Sequence, residues 1–128
     1  MTIAEICLPA AVLLAIGAAA PAKILGRREF DNANPRDPSF YRSGFRARSL
    51  GAHQNGIEAF PLFAAAVLLA EMRTVPQGTI DGLAIAFMAA RLIYVGCYLG
   101  NWPAARSISW AAGFALNLAI FFSPLIGG

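Results

Sequence analysis

The sequence predicts an all-α integral membrane protein, an up-down bundle of four transmembrane helices. Three observations lead there. Charged residues make up only 13 % of the chain, about half the roughly 25 % of a soluble domain. Too few charges remain to cover the surface of a soluble 128-residue domain. The apolar residues fall into four long runs, each near the about 20 residues needed to cross a bilayer core of roughly 30 Å. The runs are long and do not alternate, which argues against the strands of a membrane barrel.

The first span is expected over residues 3–25, with no charge from Ile6 to Ala22. Ala18, Ala19 and Ala20 resemble a signal-peptide cleavage site. No basic residue precedes the run, however, and Pro21 follows that site, so a retained helix is expected. Its many small residues, among them Ala15, Gly17, Ala18 and Ala22, permit close helix packing and support oligomerisation. The second span is expected over 48–72 with Glu58 inside it, and the third over 80–100 with Arg91 inside it. The fourth, over 107–126, carries no charge. The whole chain, 1–128, is then one transmembrane domain.

Orientation follows from the bases. Lys23, Arg27, Arg28, Arg36, Arg42, Arg46 and Arg48 supply seven of the ten Lys and Arg residues, in or beside the loop 26–47. By the positive-inside rule this loop is cytoplasmic, as is the turn carrying Arg106, and both termini face the other side. The bases hug membrane segments and no binding motif accompanies them, so no nucleic-acid partner is expected. Asn32, Asn34-Pro35 and Asp37-Pro38 break helices in the loop. Phe40, Tyr41 and Phe45 are expected at the membrane interface.

Polar residues at depth carry the functional information, because they are costly there. Asn55 and Glu58 are three apart and share a helix face, which Gly51 and Arg48 extend toward the loop. Arg91, Tyr94 and Tyr98 share a face of the third span, and Arg106 and Ser107 open the fourth. At 1.5 Å per residue, Glu58 and Arg91 lie at similar depths of roughly 15 Å. A Glu58–Arg91 ion pair is therefore expected, a clamp between spans two and three beneath a pocket of Asn55, Tyr94, Tyr98, Arg106 and Arg48. Such a pocket suits a small anionic ligand, since arginine binds carboxylates through paired hydrogen bonds. A thiol held by Arg106 near a helix N-terminus would have its pKa lowered. A single histidine and two cysteines in separate apolar runs leave no spacing for a metal site.

The segment Ala52-His53-Gln54-Asn55-Gly56-Ile57-Glu58-Ala59-Phe60-Pro61-Leu62-Phe63 resembles the second span of the MAPEG family, the membrane-associated proteins in eicosanoid and glutathione metabolism. Arg91-Leu92-Ile93-Tyr94, then Tyr98 and Arg106-Ser107, resemble its third span and the turn into the fourth. The resemblance implies a homotrimer with sites between subunits, set in a bacterial inner membrane, and glutathione as co-substrate with no metal. It implies that Asn55 and Glu58 contact glutathione and that Tyr94 and Tyr98 line its site, with Arg48, one turn before Gly51 on the same face, as the substitute for an arginine many members carry at position 51. It gives the thiolate to Arg106, with Ser107 as the alternative partner, and pairs Arg91 with Glu58 beneath the ligand. Gly51 departs from the pattern, for many members carry arginine there, and Trp110 stands where some carry tyrosine.

Two other functions compete with a glutathione-dependent enzyme that conjugates the thiolate to a lipophilic small molecule arriving through the membrane lipids, or reduces a lipid hydroperoxide. One is a small proton-coupled multidrug-type transporter that uses Glu58. The other is a non-catalytic protein that binds a lipid or a partner.

Overall fold

The structure is a computed structural model and describes residues 1–127. Among these residues all regular structure is helical. In chain order the helices are α1 (Ile3–Gly17), α2 (Ala20–Leu25), α3 (Gly44–Met72), α4 (Gln77–Leu99), α5 (Pro103–Phe122) and α6 (Pro124–Gly127). Four stretches are long and apolar enough to cross a membrane: Ile3–Leu25, Gly44–Met72, Gln77–Leu99 and Pro103–Phe122.

The first stretch is broken after Gly17, where Pro21 enters the next turn. Proline has no N–H to donate, and its ring crowds the carbonyl four residues back. The backbone groups left open are met from α3. The buried Ser49 hydroxyl donates to the Ala18 carbonyl at 2.6 Å and accepts from the Ala22 N–H at 3.4 Å. One turn further along α3, His53 Nδ1 lies 2.7 Å from the Ala15 carbonyl. Gly56 then lets the backbones approach, because a Cβ there would stand 2.6 Å from Ala15 Cβ. The small residues Ala15, Ala18 and Ala22 are thus buried against α3 inside the chain. α3 answers these three with small residues of its own, while Gly17 stays exposed.

α3 starts at Gly44, four residues before the expected start of the second span. It ends at a turn where Thr74 takes a positive φ of 55° and the Val75 N–H reaches back to the Ala70 carbonyl at 3.2 Å. α4 ends in the same way. Asn101 takes φ 60° and the Trp102 N–H bonds the Cys97 carbonyl at 2.9 Å. Asparagine tolerates this left-handed conformation better than most residues, and the six-to-one bond satisfies a carbonyl the helix leaves open. Pro103 then starts α5, where its missing N–H costs nothing. This tight turn sets Arg106 in the first turn of α5, with its N–H bonded to the Trp102 carbonyl at 2.9 Å.

The core is built from small residues around two stacked aromatic rings. Phe63 and Phe87 have centroids 4.1 Å apart and lie nearly parallel, among Ala66, Val67, Ala70, Ile80, Ala84 and Ile120. The end opposite the basic loop is tied by polar contacts. Thr2 and Glu5 cap α1 reciprocally, Thr2 Oγ1 donates to Glu71, and Asp81 accepts the Ala4 N–H at 2.9 Å.

The loop between α2 and α3 is folded. Phe30, Phe40 and Tyr41 pack edge to face, Lys23 and Arg46 lie over their rings, and Arg46 pairs with Glu29. The Tyr41 hydroxyl donates to the Pro35 carbonyl at 3.1 Å. Phe40 and Tyr41 are therefore buried in a small loop core. They are not the interfacial anchors expected from their type, since the loop supplies its own aromatic partners.

Candidate functional site

Four of the residues singled out in the sequence meet in one groove. Tyr94 and Tyr98 from α4, and Arg106 and Ser107 from α5, line a space of about 260 Å³ together with Trp110. The side chains form a ladder. The Arg91 guanidinium lies 4.3 Å from the Tyr94 centroid. The Tyr94 and Tyr98 rings meet edge to face at 5.7 Å. The Arg106 guanidinium lies 4.7 Å from the Tyr98 centroid. Each cation thus rests on a ring face, where the negative quadrupole attracts it. Spacings of three and four residues along α4 put these rings in register.

Tyr98 depends on a residue of α3. A Cβ at Gly51 would stand 2.2 Å from Tyr98 Oη and 2.6 Å from its Cζ. The missing side chain is the seat of the ring. Gly51 was visible in the sequence as a departure from the family pattern, but its pairing with Tyr98 was not.

Arg48 does not line this groove. Its Nε donates to the Leu99 carbonyl at 3.4 Å, so it serves the end of α4, where open carbonyls attract a base. Asn55 and Glu58 line a second cavity of about 190 Å³ between α3, α4 and α5, with Arg91, Trp110, Phe114 and Asn117. Trp110 belongs to the walls of both spaces.

The Glu58–Arg91 ion pair is absent from this chain. Among the described residues the only ion pair within 4.0 Å is Arg46–Glu29. Equal depth brings Glu58 and Arg91 to one cavity, but their side chains take different courses. The Arg91 stem runs past Gly113 of α5, where a Cβ would meet Arg91 Cδ at 3.7 Å. Its head lies over Tyr94, and its Nη2 has no hydrogen-bond partner among the described residues. Glu58 is exposed and also borders an outer recess beside His53 and Gln54.

Asn117 is a residue of this region that sequence reasoning missed. It is 2 % exposed, and its Oδ1 has no hydrogen-bond partner among the described residues. A signal was available, since it is the one amide in an otherwise uncharged span and polar groups at depth are costly. No group of three or more His, Cys, Asp or Glu side chains among the described residues is placed to hold a metal ion.

The model of the MAPEG family matches residues 3–126. No curated protein and no solved structure matches the chain. The match spans all four long helices and every residue of the groove, and the chain belongs to the MAPEG family.

Proposed function

We propose that this integral membrane protein is a glutathione-dependent enzyme. It would activate the glutathione thiolate for conjugation to lipophilic electrophiles or for reduction of lipid hydroperoxides. Members of its family are glutathione-related enzymes or binding proteins. One observation carries the reading: Arg106 stands in the first turn of α5, over Tyr98 and within an open groove, with no carboxylate of the described residues within 4.0 Å. An arginine without an acidic partner is free to hold an anion. The N-terminal amides of α5 add positive potential at the same place.

A thiolate is the nucleophilic form of a thiol, and a nearby cation and helix N-terminus stabilise it. Arg106 would hold the sulfur, with the Ser107 hydroxyl as a second donor. Tyr94 and Tyr98 would orient the tripeptide. In conjugation the sulfur lone pair forms the new S–C bond, and the electrophile's leaving group departs with its electron pair. Trp110, on the wall of the groove, gives a lipophilic partner an apolar contact. Asn55 and Glu58 reach the ligand in this proposal only if it extends past Trp110 into the second cavity.

The homotrimer belongs to this proposal, with a neighbouring subunit closing the open side of the groove. So does a bacterial inner membrane with the basic loop in the cytoplasm. The test is an ultraviolet difference titration of the detergent-purified protein with glutathione near neutral pH. A saturable thiolate band, lost in Arg106→Ala, is expected. A band that survives in that variant removes Arg106 from the mechanism, and no binding removes glutathione.

A second reading, proton-coupled transport through Glu58, draws on the absence, among the described residues, of an ion pair at that carboxylate. The recess beside Glu58 also carries Lys23 and Arg36, whose charges repel a cationic cargo. Drug efflux from proteoliposomes that Glu58→Gln abolishes would put this reading first.

A further inference from the structure

A recess at the basic-loop end lies apart from the groove and the second cavity. It spans about 610 Å³ between the end of α2 and the start of α3, within the about 300–1,000 Å³ usual for small-molecule sites. Gly26, which caps α2, sets its wall. A Cβ there would stand 2.9 Å from Arg46 Nε and 2.9 Å from Phe40 Cζ, so the missing side chain lets both close over the helix end. Arg46 is thereby engaged, over the Phe40 ring and paired with Glu29.

Arg42, on the same recess, is not engaged. It is exposed, and no carboxylate of the described residues lies within 4.0 Å of it. Asp37, the nearest acid along the chain, accepts the Ser39 N–H at 3.0 Å instead. Beside Arg42, Ser43 is the N-cap of α3, yet its hydroxyl makes no capping bond. Among the described residues no acid lines the recess. Its other side is apolar. Leu25 closes the first membrane-length stretch and is 74 % exposed, and Phe45 is half-buried.

This pairing of an open arginine with a bare leucine defines the occupant. A soluble anion would use Arg42 and leave Leu25 in water. A neutral lipid would cover Leu25 and leave Arg42 without a counter-charge. A phospholipid offers both a phosphate, which arginine binds through paired hydrogen bonds, and an acyl chain beneath it. A choline headgroup adds a cation that Arg42 and Arg46 repel, so a net negative headgroup fits better. We propose that this recess binds an anionic phospholipid of the leaflet on the basic-loop side. Arg42 holds the phosphate, Ser43 is the second donor, and Leu25 and Phe45 lie along the acyl chain. The site shares no residue with the groove or the second cavity, and its test involves no glutathione.

The test is the thermal midpoint of the purified full chain in an uncharged detergent. It is titrated with dioctanoyl phosphatidylglycerol, dioctanoyl phosphatidylcholine or inorganic phosphate at one ionic strength. Phosphatidylglycerol should raise the midpoint saturably, because a ligand of the native state stabilises it. Phosphatidylcholine should raise it less, and inorganic phosphate should leave it unchanged. Arg42→Gln should weaken the phosphatidylglycerol affinity at least about fivefold, the usual worth of one base at an anionic membrane surface. Arg28→Gln removes the same charge from an exposed loop position outside the recess and should weaken it far less. Leu25→Ser, at an exposed position, should weaken it while leaving the lipid-free midpoint unchanged. Equal losses in Arg42→Gln and Arg28→Gln would show a diffuse field and overturn the proposal. So would equal shifts with the two lipids, a matching shift with inorganic phosphate, wild-type affinity in Leu25→Ser, or no shift at all.

Discussion

Gly51→Ala is the sharpest test of how the groove is built. The added methyl would lie 2.2 Å from Tyr98 Oη, whereas ordinary contacts fall between 3.4 and 4 Å. The ring must therefore shift by more than an ångström, off Arg106 and off the edge of Tyr94. Forcing a methyl into a packed site costs about 1–3 kcal/mol. Against this, alanine is about 1 kcal/mol better than glycine in a helix interior. The net effect is a loss of about 0–2 kcal/mol. In a Tyr98→Ala background the clash disappears, only the helix preference remains, and the sign reverses. Gly51→Ala should then raise the thermal midpoint. The assay is a double-mutant cycle of midpoints in one detergent, which isolates the coupling between two contacting residues. The glutathione thiolate band should weaken in Gly51→Ala alone. A Gly51→Ala effect of the same sign and size in both backgrounds would refute the reasoning, since Gly51 would then not be the seat of Tyr98.

Other consequences follow from single contacts. The apparent pKa of bound glutathione thiol, read from the thiolate band against pH, should lie below the free value of about 8.5. Arg106→Ala should return it toward that value, each unit representing about 1.4 kcal/mol of lost stabilisation. Ser49→Ala leaves the Ala18 carbonyl and the Ala22 N–H without their α3 partner, and should destabilise the protein by about 1–3 kcal/mol in thermal unfolding. Burial raises the pKa of the Tyr41 phenol above its ordinary 10.0. Its contribution is therefore complete below pH 10 and lost as pH rises through the folded-state value. Tyr41→Phe should remove part of the alkaline loss of stability, measured as thermal midpoint against pH.

Much of this arrangement could be read along the chain. Four apolar runs separated by Gly, Pro and Asn predict four membrane-length helices, because a bilayer core demands internal hydrogen bonding over a set length. The spacing of Arg91, Tyr94 and Tyr98 predicts one face, and α4 presents these residues as one ladder. Helical periodicity and depth are properties of one helix at a time, so a one-dimensional reading reaches them.

Relations between helices lie beyond that reading. Equal depth paired Glu58 with Arg91, yet depth says nothing of how a helix is rotated or where a long side chain bends. Arg91 turns along Gly113 to Tyr94. Arg48 shares a face with Asn55 in projection, but it reaches the last turn of α4. Phe40 and Tyr41 looked like membrane anchors until Phe30 joined them. Gly51 and Asn117 gain their meaning from Tyr98 and Arg91, which lie on other helices. Hydropathy and turn chemistry act locally and so are written in order along the chain. Side-chain contacts depend on how helices approach and rotate, which only the packed bundle specifies.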